Sequence, residues 1–191
     1  YQISDAKKIA RSISAFANNS GGRLLVGVKD NGHISGVKSD EEIYMIEQAA
    51  TMYCRPEQQM NFQLFKVEGK NVLLAEVAEA QVKPVQAPDE NGHWKVYYRV
   101  ADENVLASGV HVKALKHKNC DENGALLNFS EKERELLEYL DLHGGITLSG
   151  FSKLAHIFRF AAEDAIVKLL EMNVITLNYH NGSCLITKAN K

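Results

Sequence analysis

The chain has 191 residues, a formal net charge of −2, 45% apolar residues and 24% charged residues. That length holds one ordinary domain or two small ones, in the balance of a globular protein and without the run of ~18 apolar residues that a membrane helix needs. The charge excludes an overall basic field that would announce nucleic acid. The three cysteines, Cys54, Cys120 and Cys184, are odd in number and far apart, which excludes a disulfide framework and suits a reducing cytoplasm.

Residues 4–18 carry Ile9, Ile13, Phe16 and Ala17 at the spacing of one helix face. Ser4 is the expected N-cap, and Asp5 sits in the first turn, where a carboxylate suits the dipole. Asn18, Asn19 and Ser20 end the helix, and Gly21-Gly22 follow. A hairpin is expected next: a strand over 24–29, a turn at Asp30-Asn31-Gly32 and a return over 33–37, because glycine accepts the positive φ of such turns. Ser39 and Glu42 match a capping box. The helix behind them carries Ile43, Ile46, Ala50 and Tyr53 on one face and stops before Pro56. A second hairpin pairs 61–67 with 71–78 around Glu68-Gly69-Lys70, and 72–77 is apolar enough for a central strand. Lys83-Pro84 and Ala87-Pro88 mark a loop. Residues 93–100 alternate around Trp94, Val96 and Tyr98 as a strand, and 102–108 turn the chain toward one more segment at 109–116.

A polar break at 119–128 is the expected linker between a first domain, 1–118, and a second, 129–191. Ser130 and Glu133 form another capping box, opening a helix with Leu136, Leu137 and Leu140 inward and Gly144-Gly145 at its end. Helices at 149–157 and 160–172 follow, the latter carrying Ala162, Ile166, Leu169 and Leu170. Strands at 174–179 and 183–187 close the chain around the turn His180-Asn181-Gly182. Three helices and then a hairpin is the order of a winged helix-turn-helix.

The glycines of AFANNSGGRLLVGVKDNG invite comparison with a phosphate-binding loop. Such loops run strand, glycines, helix, with the phosphate on the helix N-terminus. Here the order is helix, glycines, strand. Gly21 and Gly22 fall at a helix C-terminus, where the dipole is negative, and no Gly-Lys-Ser/Thr follows. They read as a helix stop and a strand start.

The same stretch, with Lys83-Pro84, Tyr97-Tyr98-Arg99-Val100 and 104–108 (NVLAS) in order after it, resembles the Schlafen/AlbA-type DNA-binding domain of bacterial regulator-like proteins. The resemblance covers about 1–118. It implies an α+β fold, a mixed-sheet Schlafen/AlbA-like domain followed by a small winged helix-turn-helix domain. It also implies a cytoplasmic, transcriptional-regulator-like protein that binds nucleic acid, with DNA as the expected partner, as a homodimer. Family members usually begin with an acidic strand, E…EFK, before the first helix, and Tyr1 stands where that strand would have just ended. In Schlafen-type ribonucleases its two acids join an Asp after the GV strand to hold a divalent metal, the arrangement that phosphodiester cleavage needs. Only the third partner, Asp30, is present here. The expected protein is therefore non-enzymatic and without a cofactor. The alternatives are a metal-dependent nuclease using Asp30 with acids upstream of residue 1, and a nucleotide-sensing interaction module. Asp30 also reads as a plain turn residue.

Phosphate contacts need local positive charge. Residues 1–120 hold 15 Lys+Arg against 14 Asp+Glu. Their densest cluster is Lys113, Lys116 and Lys118, with Arg23, Lys29, Lys83 and Arg99 at strand ends; the same residues also read as a solvated edge. In the second domain the recognition-type helix opens with Glu163 and Asp164, which repel phosphate, and Arg159 and Lys168 are its bases, with Lys188 and Lys191 near the wing. A pairing or structural role for this segment is the alternative. Trp94 and Tyr97 are candidates to stack on bases. His111, His117 and Cys120 match no zinc spacing. Ser20, Ser108 and Ser149 sit at caps and turns without a triad.

Overall fold

A computed structural model of the chain describes residues 5–37, 39–117, 129–180 and 183–189. Two compact units divide it, Tyr1–Ala107 and Ser108–Lys191.

The first unit opens with helix α1, Ala6–Asn18. Asp5 is its N-cap, and the Asp5 carboxylate accepts from the Lys7 amide at 2.9 Å; Ser4 lies outside the described residues. Strand β1, Gly22–Val26, helix α2, Asp40–Met52, and strands β2, Met60–Val67, and β3, Lys70–Val77, follow. The sheet order is β1-β3-β2, so the apolar β3 is central, as its composition predicts. Register places Val26, Leu73 and Leu64 side by side, and likewise Leu24, Ala75 and Phe62. Of these, Val26, Leu73, Leu24, Ala75 and Phe62 join Ile9, Ile13 and Ala17 of α1 and Ile46, Ala49 and Ala50 of α2 in one core, while Leu64 on the edge strand stays exposed. A second small sheet, in the order β4-β5-β6, is built from β4, Gln86–Pro88, β5, Trp94–Val100, and β6, Glu103–Leu106.

The α+β class holds, but the expected mixed sheet does not: every strand pair among the described residues is antiparallel. Consecutive strands reverse tightly: β2 and β3 meet at Glu68-Gly69, both at positive φ, the geometry of a two-residue hairpin turn. Three local expectations also change. The first hairpin shrinks to a single bridge, Val28 to Ile34. Gly27 takes φ +89°, and a Cβ there would lie 2.8 Å from the Gly36 carbonyl carbon, so the strand ends at Val26. Ser39 occupies the N-cap of α2 without a side-chain cap bond, so its capping box is not formed. The loop expected around Pro84 and Pro88 holds β4, with Val85 and Ala87 fully buried.

The second unit contains α3, Gly109–His117, α4, Glu131–His143, β7, Gly145–Ile146, α5, Leu148–Leu154, α6, Arg159–Glu171, β8, Ile175–His180, and β9, Ser183–Lys188. Its antiparallel sheet runs β7-β9-β8. The Ser130–Glu133 capping box is present: the Glu133 carboxylate accepts from the Ser130 amide at 2.7 Å. Leu136, Leu140, Phe151, Ile166, Leu169 and Ile186 form the core. Helix α3 packs on α6, and Val110 and Ala114 join this core. The expected first domain, 1–118, includes α3, but the apolar face of α3 packs in the second unit. The expected linker 119–128 and the turn residues Asn181 and Gly182 lie outside the described residues. No described helix is long and apolar enough to cross a membrane.

Candidate functional site

Two asparagines organise the C-terminal end of α1. The Asn18 side chain, 2% exposed, donates to the carbonyls of Val85 and Tyr97, both at 2.8 Å, and accepts from the Val85 amide at 2.7 Å. Asn19 does the same one segment over, donating to the Arg99 carbonyl at 3.0 Å and accepting from its amide at 3.2 Å. Each carboxamide presents a donor and an acceptor side by side, as a backbone does, and so stands in for one residue of a neighbouring strand. Ser14 adds a third tie, donating to the Val85 carbonyl at 2.9 Å.

Lysine completes this end of the helix. The Lys83 ammonium donates to the Asn19 carbonyl at 3.0 Å and pairs with Glu79 at 2.6 Å. A cation beside terminal carbonyls is favoured by the helix dipole. Lys83 is only 8% exposed, so its charge faces inward. Gly21 takes φ +83°, and a Cβ there would meet the Val77 carbonyl at 2.6 Å; a Cβ on Gly22 would lie 2.2 Å from the Phe16 ring. These glycines let the chain turn tightly between α1 and the end of β3. Beside them lies an open polar groove lined by Ser20, Gly21, Arg23, Gln59, Asn61 and Glu76.

The other cations of the first unit are spread out. Arg23 is exposed on β1 and pairs with Glu76 at 2.9 Å. Arg99 donates to Asn104 at 2.9 Å and lies 5.3 Å from the Phe16 ring centroid. Lys29 is exposed beside the Asp30-Asn31-Gly32 turn. Asp30 is exposed in the same turn, and no group of three His, Cys, Asp or Glu side chains converges anywhere among the described residues. Trp94 is covered by the Arg55 guanidinium, 3.8 Å above its ring, and Tyr97 packs against the core.

In the second unit several cations sit in ion pairs. Lys113 of α3 pairs with Asp164 of α6. Lys168 binds Glu133 at 3.0 Å, and Glu133 is 4% exposed, so this pair ties α6 to the capping box of α4. Arg159 pairs with Glu163 at 3.1 Å. The helix opens with Arg159, not with the two acids, and its first turn contains no acidic residue. Because Glu163 and Asp164 each face a cation, the phosphate repulsion expected of them is offset. Lys116 is exposed on α3, and Lys188 pairs with Asp141. Lys118, Cys120 and Lys191 lie outside the described residues. His111 bonds the Tyr179 hydroxyl through Nδ1 at 2.9 Å, and His117 faces Glu171 at 3.6 Å. Burial raises the pKa of Tyr179 above its ordinary value.

Sequence reasoning missed Asn18 and Asn19 as anchors, because an asparagine ending a helix looks like a stop whatever else it binds. It also missed Phe158 and Phe160, which are 78% and 64% exposed on either side of Arg159. The available signal was two aromatics bracketing an arginine at a helix start.

A helix whose end is clamped by paired asparagines over small antiparallel sheets defines the first unit as a compact α+β module. The chain belongs to the Schlafen, AlbA_2 family, whose match spans residues 1–108. Among solved structures, it is similar to the crystal structure of the DIP2311 protein from Corynebacterium diphtheriae, with 21% identity and a TM-score of 0.44. That match covers 72% of this chain and 25% of the other, so the chain spans about a quarter of its length. No curated protein matches.

Proposed function

We propose that this is a nucleic-acid-binding protein, with DNA as its partner, acting as a transcriptional regulator rather than as an enzyme. On this reading the second unit is a winged helix, with α5 and α6 as the helix-turn-helix and β8-β9 as the wing. The observation that carries it is the start of α6. Arg159 opens that helix at an exposed first turn free of acidic residues, and Lys153 stands exposed on α5 before the turn. A recognition helix needs cations and open space at that end, since its N-terminal residues enter the major groove. Membership of the Schlafen, AlbA_2 family supports a nucleic-acid role for the first unit. There the proposed contacts are Arg23, Lys29 and Arg99, because the Lys83 charge is turned inward. In the second unit Arg159 leads, and Lys116, exposed on α3, is a further proposed contact. Lys113 and Lys168 act by holding helices together. A homodimer fits this reading, because a two-fold axis places two recognition helices on successive half-sites.

The test is fluorescence anisotropy of the full chain on a labelled duplex at low and near-physiological salt. The expected result is binding that weakens with salt, and Arg159→Gln and Lys153→Gln should each reduce the log–log slope by about one. Absence of binding at low salt, or a flat salt response, overturns the proposal. Arg159→Gln removes only a surface pair with Glu163, worth under about 1 kcal/mol, so lost binding will not reflect unfolding.

A further inference from the structure

The start of α6 has a second property that duplex reading does not use. Phe158 and Phe160 are 78% and 64% exposed. Their rings lie nearly parallel, 8° apart, with centroids separated by 6.0 Å. Phe158 also occupies the N-cap of α6 and supplies no cap bond there. Stability alone favours Ser, Thr, Asp or Asn at that position and water-facing polar residues beside it. Two exposed phenylalanines go against both preferences, and sites that break local rules tend to serve function.

The segment that carries them is pinned. The Ser152 hydroxyl donates to the Ile157 carbonyl at 2.7 Å, the Ile157 amide donates to the Ser152 carbonyl at 3.1 Å, and Ile157 itself packs on the core. The rings therefore project from a fixed turn. Side chains that can donate to phosphate accompany them. Lys153 and His156 share a shallow groove with Phe158, and Arg159 sits between the two rings in sequence. The acid nearest in sequence on α6, Glu163, is engaged by Arg159.

From this juxtaposition we propose that Phe158 and Phe160 form a stacking platform for unpaired bases, with Lys153, His156 and Arg159 holding the adjoining phosphates, so that the second unit binds single-stranded nucleic acid. The inference rests on the nucleic-acid reading above and names the partner at the same end of α6. Charge and aromaticity alternate in a single strand, base against phosphate, and this surface offers both partners together. An intact duplex hides its base faces and presents only edges and phosphates. Stacking on aromatic side chains tolerates any base, because every base has a π-face. The platform therefore implies binding with little sequence preference.

The experiment compares a labelled oligothymidine strand with a duplex of equal length, on the full chain at low salt. The variants are Phe158→Ala, Phe160→Ala, the double variant and Phe160→Trp. Each alanine change should weaken single-strand binding about tenfold, the scale of one lost stack, while duplex affinity moves less than about twofold. Phe160→Trp should retain single-strand binding and show quenching of the new indole by the strand. Both phenylalanines are largely exposed, so an unchanged thermal midpoint will confirm folding. Single-strand affinity unaffected by the alanines, or an equal loss on duplex, overturns this inference and leaves the nucleic-acid reading standing. If neither probe binds, the parent reading fails and the inference with it.

Discussion

In the first unit the Asn18 carboxamide reaches across 67 residues of sequence to Val85; in the second, Ser130 and Glu133 close a helix end three residues apart. The cores differ in the same way. Ala10, Ala15, Ala17, Ala49, Ala50, Ala75 and Ala87 are buried in the first unit, whereas Leu136, Phe151, Ile166 and Leu169 fill the second. Small residues bring α1 close to its neighbouring strands but contribute little apolar area each. That closeness buries polar backbone, which must then find partners. The first unit thus adds long-range side-chain-to-backbone hydrogen bonds to an alanine-rich core, and the second closes the start of α4 with a local cap over larger apolar side chains.

Three experiments break or sharpen that contrast, each readable unit by unit because Trp94, the only tryptophan, reports on the first. The largest effect is expected from Phe151→Ala. It removes the largest fully buried side chain among the described residues and should cost about 3–5 kcal/mol. The loss should appear in hydrogen exchange of α4 and α6, with the Trp94 fluorescence transition unmoved. A matching shift of Trp94 would show that the units do not unfold separately.

Asn18→Ala should follow at about 3 kcal/mol. It strips the Val85 amide and the Tyr97 carbonyl of a buried partner and leaves the Val85 carbonyl with Ser14 alone. Each orphaned group costs about 1–3 kcal/mol. The denaturation midpoint by Trp94 emission measures it. A loss below about 1 kcal/mol would mean that the asparagine clamps do not carry the first unit.

The smallest effect is a pH slope. Burial pushes the Cys54 thiol up to about 12 from 9.0. Its folded pKa is raised, so the unfolded chain loses the proton first. Stability should be undisturbed by this group below about pH 9 and fall above it, by up to about 1.4 kcal/mol per pH unit. Cys54→Ala should flatten that alkaline slope in Trp94-monitored unfolding. An unchanged slope would place the alkaline transition elsewhere.

What could be read from the sequence follows the same division. The Ser130 capping box, the Gly144 helix stop and the leucine face of α4 depend on residues three or four apart, and each is found as predicted. The matching Ser39 box is not, because its cap bond is missing although its spacing is right. Strand β4 was hidden because three residues ending on a proline carry no periodicity; its place is set by Trp94, Lys95 and Val96 on the facing strand. The candidate cations were legible as a set, but not their fates: Lys83 turns inward, Lys113 and Lys168 hold helices, and Arg159 stays at the surface.

The sequence by itself determined the family, through AFANNSGG and the motifs behind it, and the helices and hairpins whose signals lie within one turn of chain. Only the tertiary structure decided that Asn18 and Asn19 serve as surrogate strand residues, that α3 packs into the second unit, and that Phe158 and Phe160 face solvent around Arg159. The reason is physical. A cap or a hairpin turn is satisfied by neighbours a few residues away, whereas the partner of a buried amide or the exposure of a ring depends on segments that meet only after folding.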